Sequence, residues 1–301
     1  MDFVQQHYGE LAALLTAIFW TVTALAFESA SIRVGSLSVN ILRLFTGFFF
    51  LSMYTLISRG LLLPVDANLH NWYWLFLSGL VGFVFGDLFL FKSYTMIGSR
   101  FAMLIMTLVP PITALLGWII LGERLSPMNF LGMTLTFSGI AMAIFSRQKK
   151  TIKFTFKVAP KGLLFAFGGA VGQATGLVLS KFGMDGYDPF AATQIRILAG
   201  IAGFTILVTW LKRWKKVYRS VFNLRAMSGV TIGSFFGPFL GVSFSLLAVK
   251  YTQTGIASTI MAIVPVLIIP PAVLFYRPKV TLLEVIGAFI SVFGVALFFL
   301  D

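Results

Sequence analysis

The order of apolar and polar positions along the chain predicts a membrane protein built from helices. Apolar runs of roughly 20 residues, the length that crosses a bilayer as a helix, recur along the whole sequence. We predict ten spans, at 9–29, 36–58, 72–94, 98–121, 127–145, 160–183, 189–211, 226–249, 255–276 and 280–300. A hydrophilic stretch at 146–161 divides these spans into two sets of five.

The two halves of the chain repeat each other. With an offset of 153 residues Arg43 aligns with Arg196, and an offset of 155 aligns further positions. These further pairs are Gly82 with Gly237, Gly86 with Gly241, and Pro110 with Pro265. Because each half carries an odd number of spans, the second half must enter the membrane in the opposite sense, an arrangement typical of secondary transporters.

The repeat fixes the predicted architecture and its boundaries. We expect an all-α integral membrane protein whose ten transmembrane helices form two inverted five-helix repeats. The first repeat covers 1–148 and the second covers 162–301, with a basic connecting loop at 149–161.

Composition and charge narrow the class of protein further. Hydrophobic residues make up 58% and charged residues 11% of the chain, whereas soluble domains have about 45–50% and about 25%. The net charge of +13 would favour nucleic acid in a soluble protein, but 16 of the 23 basic residues lie in loops on one predicted side and 4 on the other. We therefore expect anionic lipid headgroups at these basic loops, and no nucleic acid, as partners. The same asymmetry predicts both termini outside the cell.

Short motifs along the chain resemble a known family. They are Phe19-Trp20, Arg43, Ser93-Tyr94-Thr95, Val109-Pro110 and the turn Leu121-Gly122-Glu123-Arg124-Leu125. In this order and spacing they resemble the EamA-type ten-helix members of the drug/metabolite transporter superfamily. The second half departs from the pattern, with Tyr276-Arg277-Pro278-Lys279 in place of a Leu-Gly-Glu-Arg turn.

The resemblance implies a function. It implies a secondary transporter in the cytoplasmic (inner) membrane that moves a small organic metabolite, an amino acid or a related compound, in the direction of export. Alternating access to a central cavity between the repeats would move this solute, with protons as a possible coupling ion. Family members have cytoplasmic termini, in conflict with the charge count. The chain would act as a monomer or homodimer, without enzymatic activity, cofactor or metal.

Two alternatives remain open at this level. One is a lipid, lipid-linked sugar or nucleotide-sugar translocator of the same fold. The other, less favoured, is an intramembrane aspartyl protease, suggested by Gly86-Asp87 and Tyr187-Asp188. The order of these two motifs is reversed relative to such proteases, and Val84 stands where their signature has its first glycine.

Ionisable residues inside the spans are the first candidates for a site, because a charge at membrane depth is costly. Arg43 and Arg196 could bind a carboxylate or phosphate of the solute, or could instead maintain the fold. Asp87 could couple transport to protons, or could be the counter-ion of Lys92 or of an arginine. Glu28, equivalent in position to Lys181, is a second coupling candidate, or an interfacial residue.

Uncharged candidates complete the predicted site. Trp20 and Tyr94 could stack on the solute, and Gln173 and Gln194 could line the cavity. Helix packing or hinge motion is expected at a set of small residues and prolines, namely Gly82, Gly86, Gly237, Gly241, Pro110 and Pro265.

Overall fold

A computed structural model describes residues 3–148, 160–271 and 281–300 of the chain. Within these ranges the protein is helical and contains no strand. Nine helices in the described ranges are long and apolar enough to cross a membrane, and a tenth apolar helix, Val109–Leu121, is shorter.

Ten helical segments follow the order of the predicted spans. They are α1 (Tyr8–Val34), α2 (Ser36–Arg59), α3 (Leu69–Gly79, Leu80–Gly86 and Asp87–Met106), α4 (Val109–Leu121), α5 (Pro127–Gln148), α6 (Pro160–Met184), α7 (Pro189–Trp210), α8 (Leu224–Ser234, Phe235–Gly241 and Val242–Tyr251), α9 (Thr254–Met261 and Val264–Leu267) and α10 (Leu282–Ala296, extended by Leu297–Phe299). Two further helices, Phe3–Gln6 and Trp214–Val221, precede α1 and join α7 to α8. Of the connecting loop predicted at 149–161, only the last two residues are described, and they begin α6.

The structure differs from the predicted break between the third and fourth spans near residues 95–97. The helical segment Asp87–Met106 continues through these residues, and the break lies at Thr107-Leu108. Ile97 lies beside Gly162 at one end of α6, and Glu123 binds Lys181 near the other end. The chain therefore runs from one end of the molecule to the other between Ile97 and Glu123, as the predicted span 98–121 requires.

Both repeats use the same helix pairings, related by the inverted repeat. α6 packs on α3, and a Cβ built on Gly172 would lie 2.9 Å from the Cα of Gly86. α1 packs on α8 in the equivalent way, with Trp20 against Gly241. Each pair joins one helix of the first repeat to one of the second. The small residues of α3 and α8 thus allow close approach of backbones between the repeats.

A third close contact joins α5 to α10. A Cβ on Gly287 would lie 2.6 Å from the carbonyl oxygen of Gly139, and one on Gly132 would lie 2.9 Å from that of Gly294. These four glycines form two pairs related by the 155-residue offset. The interface therefore packs a helix against its own symmetry equivalent.

Equivalent π-helical segments interrupt α3 and α8. They cover Leu80–Gly86 and Phe235–Gly241, positions related by the 155-residue offset. In α8 the segment contains Pro238, which has no N–H to donate, and the hydroxyl of Thr23 lies 3.5 Å from the carbonyl oxygen of Gly233. Wide helical turns of this kind often lie at functional sites.

Prolines mark a second symmetric irregularity. Pro110 stands at the start of α4 after a break at Thr107-Leu108, and Pro265 follows an equivalent break at Ala262-Ile263 in α9. A proline at the first positions of a helix loses no backbone bond, so it begins the second helical piece rather than bending a continuous one.

Candidate functional site

A buried group of polar residues lies where α2, α3 and α6 meet. The Arg43 guanidinium forms an ion pair with Asp87 through Nη2 and Oδ2. The Gln173 amide donates to Asp87 Oδ1 at 3.0 Å and lies 3.4 Å from the carbonyl oxygen of Gly82, within the π-helical segment of α3. Both oxygens of the Asp87 carboxylate are therefore occupied, one by each repeat of the chain.

The Arg43 side chain is partly exposed and has a second neighbour in the first repeat. Its Cζ lies 5.7 Å from the centre of the Phe27 ring, within cation–π distance. Its Nε has no hydrogen-bond partner. Asp87 is thus the counter-ion of Arg43 in this structure, and its coupling role stays a prediction.

Arg196 on α7 is buried without an anion. The residue is 5% exposed, and its Cζ lies 4.9 Å above the Phe83 ring. Within the described parts of the chain its guanidinium makes no hydrogen bond and no ion pair, and Nε is buried without a partner. The aligned position of Asp87 is Val242, so the second repeat offers no equivalent acid.

The two arginines approach the same stretch of α3. Arg43 contacts Asp87, and Arg196 contacts Phe83, four residues earlier on that helix. Arg196 also lies beside Gly82, because a Cβ there would be 3.4 Å from Nη2. Two guanidiniums and one carboxylate thus surround the π-helical segment, with a formal charge of +1 for these three groups.

Trp20, another predicted site residue, occupies the position equivalent to Gln173 at the other interface between the repeats. Each of these two residues packs on an equivalent glycine, Gly241 for Trp20 and Gly86 for Gln173. The side chain of Tyr94 lies outside the described residues.

Two predicted residues lie elsewhere. The buried amide of Gln194 donates to Ser52 Oγ at 3.2 Å and to the carbonyl of Leu62 at 3.0 Å, so it joins α7 to the segment after α2. Glu28 is exposed near the end of α1. Its equivalent, Lys181, pairs with Glu123 instead.

Glu123, which sequence analysis placed only in a family-like turn, links the two repeats at the end of the molecule that holds the N-terminus. One carboxylate oxygen accepts from Lys181 Nζ at 2.7 Å. The other accepts from the backbone N–H and the hydroxyl of Thr254 at 2.8 and 2.6 Å, and so caps α9. Nearby, the Thr252 hydroxyl donates to Glu10 on α1. Only the Leu-Gly-Glu-Arg pattern could have pointed to this role.

A cavity of about 490 Å³ opens beside this link. Its lining includes charged residues from both repeats, Glu10, Glu123, Lys181 and Lys250. This volume is within the range that holds a small organic molecule, roughly 300–1,000 Å³. We name it the terminal-end vestibule.

A smaller polar cluster joins the loops outside the spans at this same end. Tyr187 donates a hydrogen bond to Asp66 at 2.7 Å, and Arg59 forms an ion pair with Asp66. Burial and the hydrogen bond to Asp66 raise the pKa of the Tyr187 phenol to about 12. Burial raises the pKa of Asp66, but the hydrogen bond from Tyr187 and the charge of Arg59 outweigh it, so the net shift is downward.

The same architecture occurs in known proteins. A family model described as the EamA-like transporter family matches residues 7–145 and 160–300. The chain belongs to this family. The resemblance found from sequence motifs and the fold of two five-helix EamA repeats are thereby confirmed, and the chain is a multi-pass membrane protein of a transporter family.

Two individual proteins are similar to this chain. An uncharacterized transporter, YyaM of Bacillus subtilis (strain 168), is 25% identical over 222 residues, which cover 72% of this chain and 70% of that protein. A protein of known crystal structure superposes with a TM-score of 0.75 at 17% identity, over 97% of this chain and 96% of the other. The latter likeness concerns the fold alone.

The aspartyl-protease alternative finds no support in the EamA fold. Asp188 accepts from the backbone N–H of Ala191 at 2.9 Å and caps α7. Asp87 instead contacts Arg43 and Gln173. The polar contacts of these two aspartates share no residue, so the structure shows no catalytic pair.

Proposed function

We propose that the protein is a secondary transporter that moves a small organic metabolite, an amino acid or a related compound, by alternating access between the two repeats. The buried polar group around α3 would be the solute site, with Arg43, Asp87, Gln173 and Arg196 as its principal residues. We expect export across the cytoplasmic membrane, with protons as the coupling ion.

The observation that carries this proposal is the buried positive charge of Arg196 between the two repeats. Arg196 and Gln173 belong to the second repeat, whereas Asp87 and Phe83 belong to the first. A buried charge without a partner destabilises a membrane protein and marks a functional site by default. Its position between halves that pack through bare glycine faces favours a site that opens as the halves move.

The contacts between the repeats at the end that holds the N-terminus suggest how access would alternate. Glu123 with Lys181 and Thr254, and Glu10 with Thr252, join the repeats at one end. At the opposite end Glu28, the equivalent of Lys181, makes no ion pair within the described residues. Opening of the terminal-end vestibule towards the site would require the first set of contacts to separate.

Purified protein in liposomes provides the test. We expect flux of one or more solutes from a panel of amino acids and related metabolites, and strongly reduced flux in Arg43→Ala. The matched control is Arg225→Ala, an exposed arginine at the start of α8, which should transport normally. Absence of flux across the whole panel, with correctly folded protein, would contradict the proposal.

A further inference from the structure

The charges around Arg196 define the chemical class of the solute more narrowly than the fold does. Resting on the transport function proposed above, we infer that the solute is a singly charged carboxylate and that the Arg196 guanidinium binds its carboxylate group. A zwitterionic amino acid fits this site less well. The inference follows from the net charge of the site, from the ion pair that already neutralises Asp87 and from the unpaired N–H groups of Arg196.

The first step is the net charge of the protein groups at the site. Arg43 and Asp87 neutralise each other, and Arg196 remains with the ring of Phe83 as its neighbour. The attraction between a cation and an aromatic ring offsets only part of the free-energy cost of burying an ion. One negative charge would balance the group. A phosphate monoester carries about −1.5 to −2 near neutral pH and would overcompensate it.

The second step is that the charge of Asp87 is already neutralised. One of its oxygens accepts from Arg43, and the other accepts from Gln173. An α-amino acid would therefore bring its ammonium into the site without an unpaired carboxylate to balance its charge. The net charge would also remain +1, because a zwitterion adds none. Both effects disfavour the amino acid relative to the same molecule without its amino group.

The third step is that the guanidinium of Arg196 has N–H groups without a hydrogen-bond partner among the described residues. On the α3 side its Nη2 faces Gly82, where a Cβ would lie 3.4 Å away. Phe83 covers one face of the guanidinium, which leaves the N–H groups at its edge. A guanidinium edge binds a carboxylate through two parallel hydrogen bonds, a geometry that lysine cannot reproduce.

Matched sets of ligands test this inference. Each set contains a small carboxylate with an apolar body, its α-amino acid and the primary amide of that amino acid; 3-phenylpropanoate, phenylalanine and phenylalaninamide form one set. Inorganic phosphate is tested separately as another oxyanion. Binding is measured as ligand-dependent thermal stabilisation of the detergent-solubilised protein, and transport is measured as flux in liposomes.

We expect at least one carboxylate to bind and to be transported in preference to its amino acid, and its amide to be inactive. Arg196→Gln should weaken binding of that carboxylate by roughly 10-fold or more, as expected for loss of a charged hydrogen-bond donor. Arg196→Lys should bind with intermediate affinity, because lysine keeps the positive charge but cannot form the two parallel hydrogen bonds of a guanidinium. Arg33→Gln, at an exposed arginine near the end of α1, is the matched control and should bind like wild type.

The possible failures have different meanings. Flux of amino acids or amides but of no carboxylate, or carboxylate binding that Arg196→Gln and Arg196→Lys leave unchanged, would overturn the inference and leave the transport function standing. Binding of phosphate in place of every carboxylate would also overturn it. If no member of any set is transported by folded wild-type protein, the proposed function itself fails.

Discussion

Arg43 and Arg196 occupy equivalent positions in the two repeats, yet their surroundings differ. Arg43 has Asp87 as its counter-ion, and Arg196 has the ring of Phe83. The alignment predicts that both lie in equivalent helices, and it also shows Val242 where a second acid would stand. It does not show that Gln173 would occupy the remaining oxygen of Asp87, because that contact joins residues 86 positions apart.

The Arg43–Asp87 pair gives a prediction about stability. Arg43→Met should lower the free energy of unfolding by about 3–5 kcal/mol, because it leaves the Asp87 carboxylate buried without its partner. Arg43→Met combined with Asp87→Leu should recover most of this loss, since no buried charge of the pair remains. Thermal unfolding in detergent measures both. Equal losses in the single and double variants would show that the pair does not behave as a unit.

Tyr187 gives a prediction about pH. Its phenol has a pKa of about 12 in the folded protein, above the usual value of about 10. The raised pKa contributes stability that is fully present below pH about 10 and is lost as the pH rises through about 12. The phenolate absorbance of wild type minus that of Tyr187→Phe should therefore titrate near pH 12. A midpoint near pH 10 would contradict the hydrogen bond to Asp66.

At the scale of elements, the length and order of the helices could be predicted from sequence, because apolar runs of bilayer length have few other stable structures. Thus the predicted span 36–58 corresponds to Ser36–Arg59, and 189–211 to Pro189–Trp210. The π-helical segments could not be predicted. No local sequence pattern marks them: Pro238 lies in one segment, whereas the equivalent segment Leu80–Gly86 contains no proline.

The π-helical segments end at Gly86 and Gly241, which differ in the space around them. A Cβ on Gly241 would lie 2.6 Å from the Trp20 indole and 2.8 Å from the carbonyl oxygen of Phe236, whereas one on Gly86 would lie 3.3 Å from the flexible Gln173 amide. Gly241→Ala should therefore destabilise by about 1–3 kcal/mol. Gly86→Ala, its matched control, should be close to neutral. Similar unfolding temperatures for the two variants would contradict the packing described for Trp20.

At the scale of the whole molecule, the inverted repeat predicts two ends that open in turn. The contacts of Glu123 were not predictable from its position in a turn, because Lys181 and Thr254 lie 58 and 131 residues away. Because these contacts join the two repeats, they close the end of the molecule that holds the N-terminus. The basic helix Trp214–Val221, which joins α7 to α8, lies at the opposite end from the contacts of Glu123.

Crosslinking tests this division. The chain has no cysteine, so Glu123→Cys with Lys181→Cys introduces the only thiols. A short bifunctional thiol reagent should block flux in this variant, and a reductant that cleaves the reagent should restore it. Lys215→Cys with Arg219→Cys, on one exposed helix, is the control and should retain flux when crosslinked. Full flux in the crosslinked Glu123–Lys181 variant would mean that these residues need not separate.

The protein is proposed to hold the Arg196 charge between its repeats for a solute, at the expense of stability. Measuring unfolding temperature and carboxylate flux together for Arg196→Met tests it most directly. Replacing buried ionic groups with apolar ones of similar volume often stabilises a protein, by about 1–4 kcal/mol. We expect Arg196→Met to have a higher unfolding temperature than the wild type and to lose carboxylate flux. A lower unfolding temperature with flux retained would show that Arg196 serves the fold and would contradict the proposal.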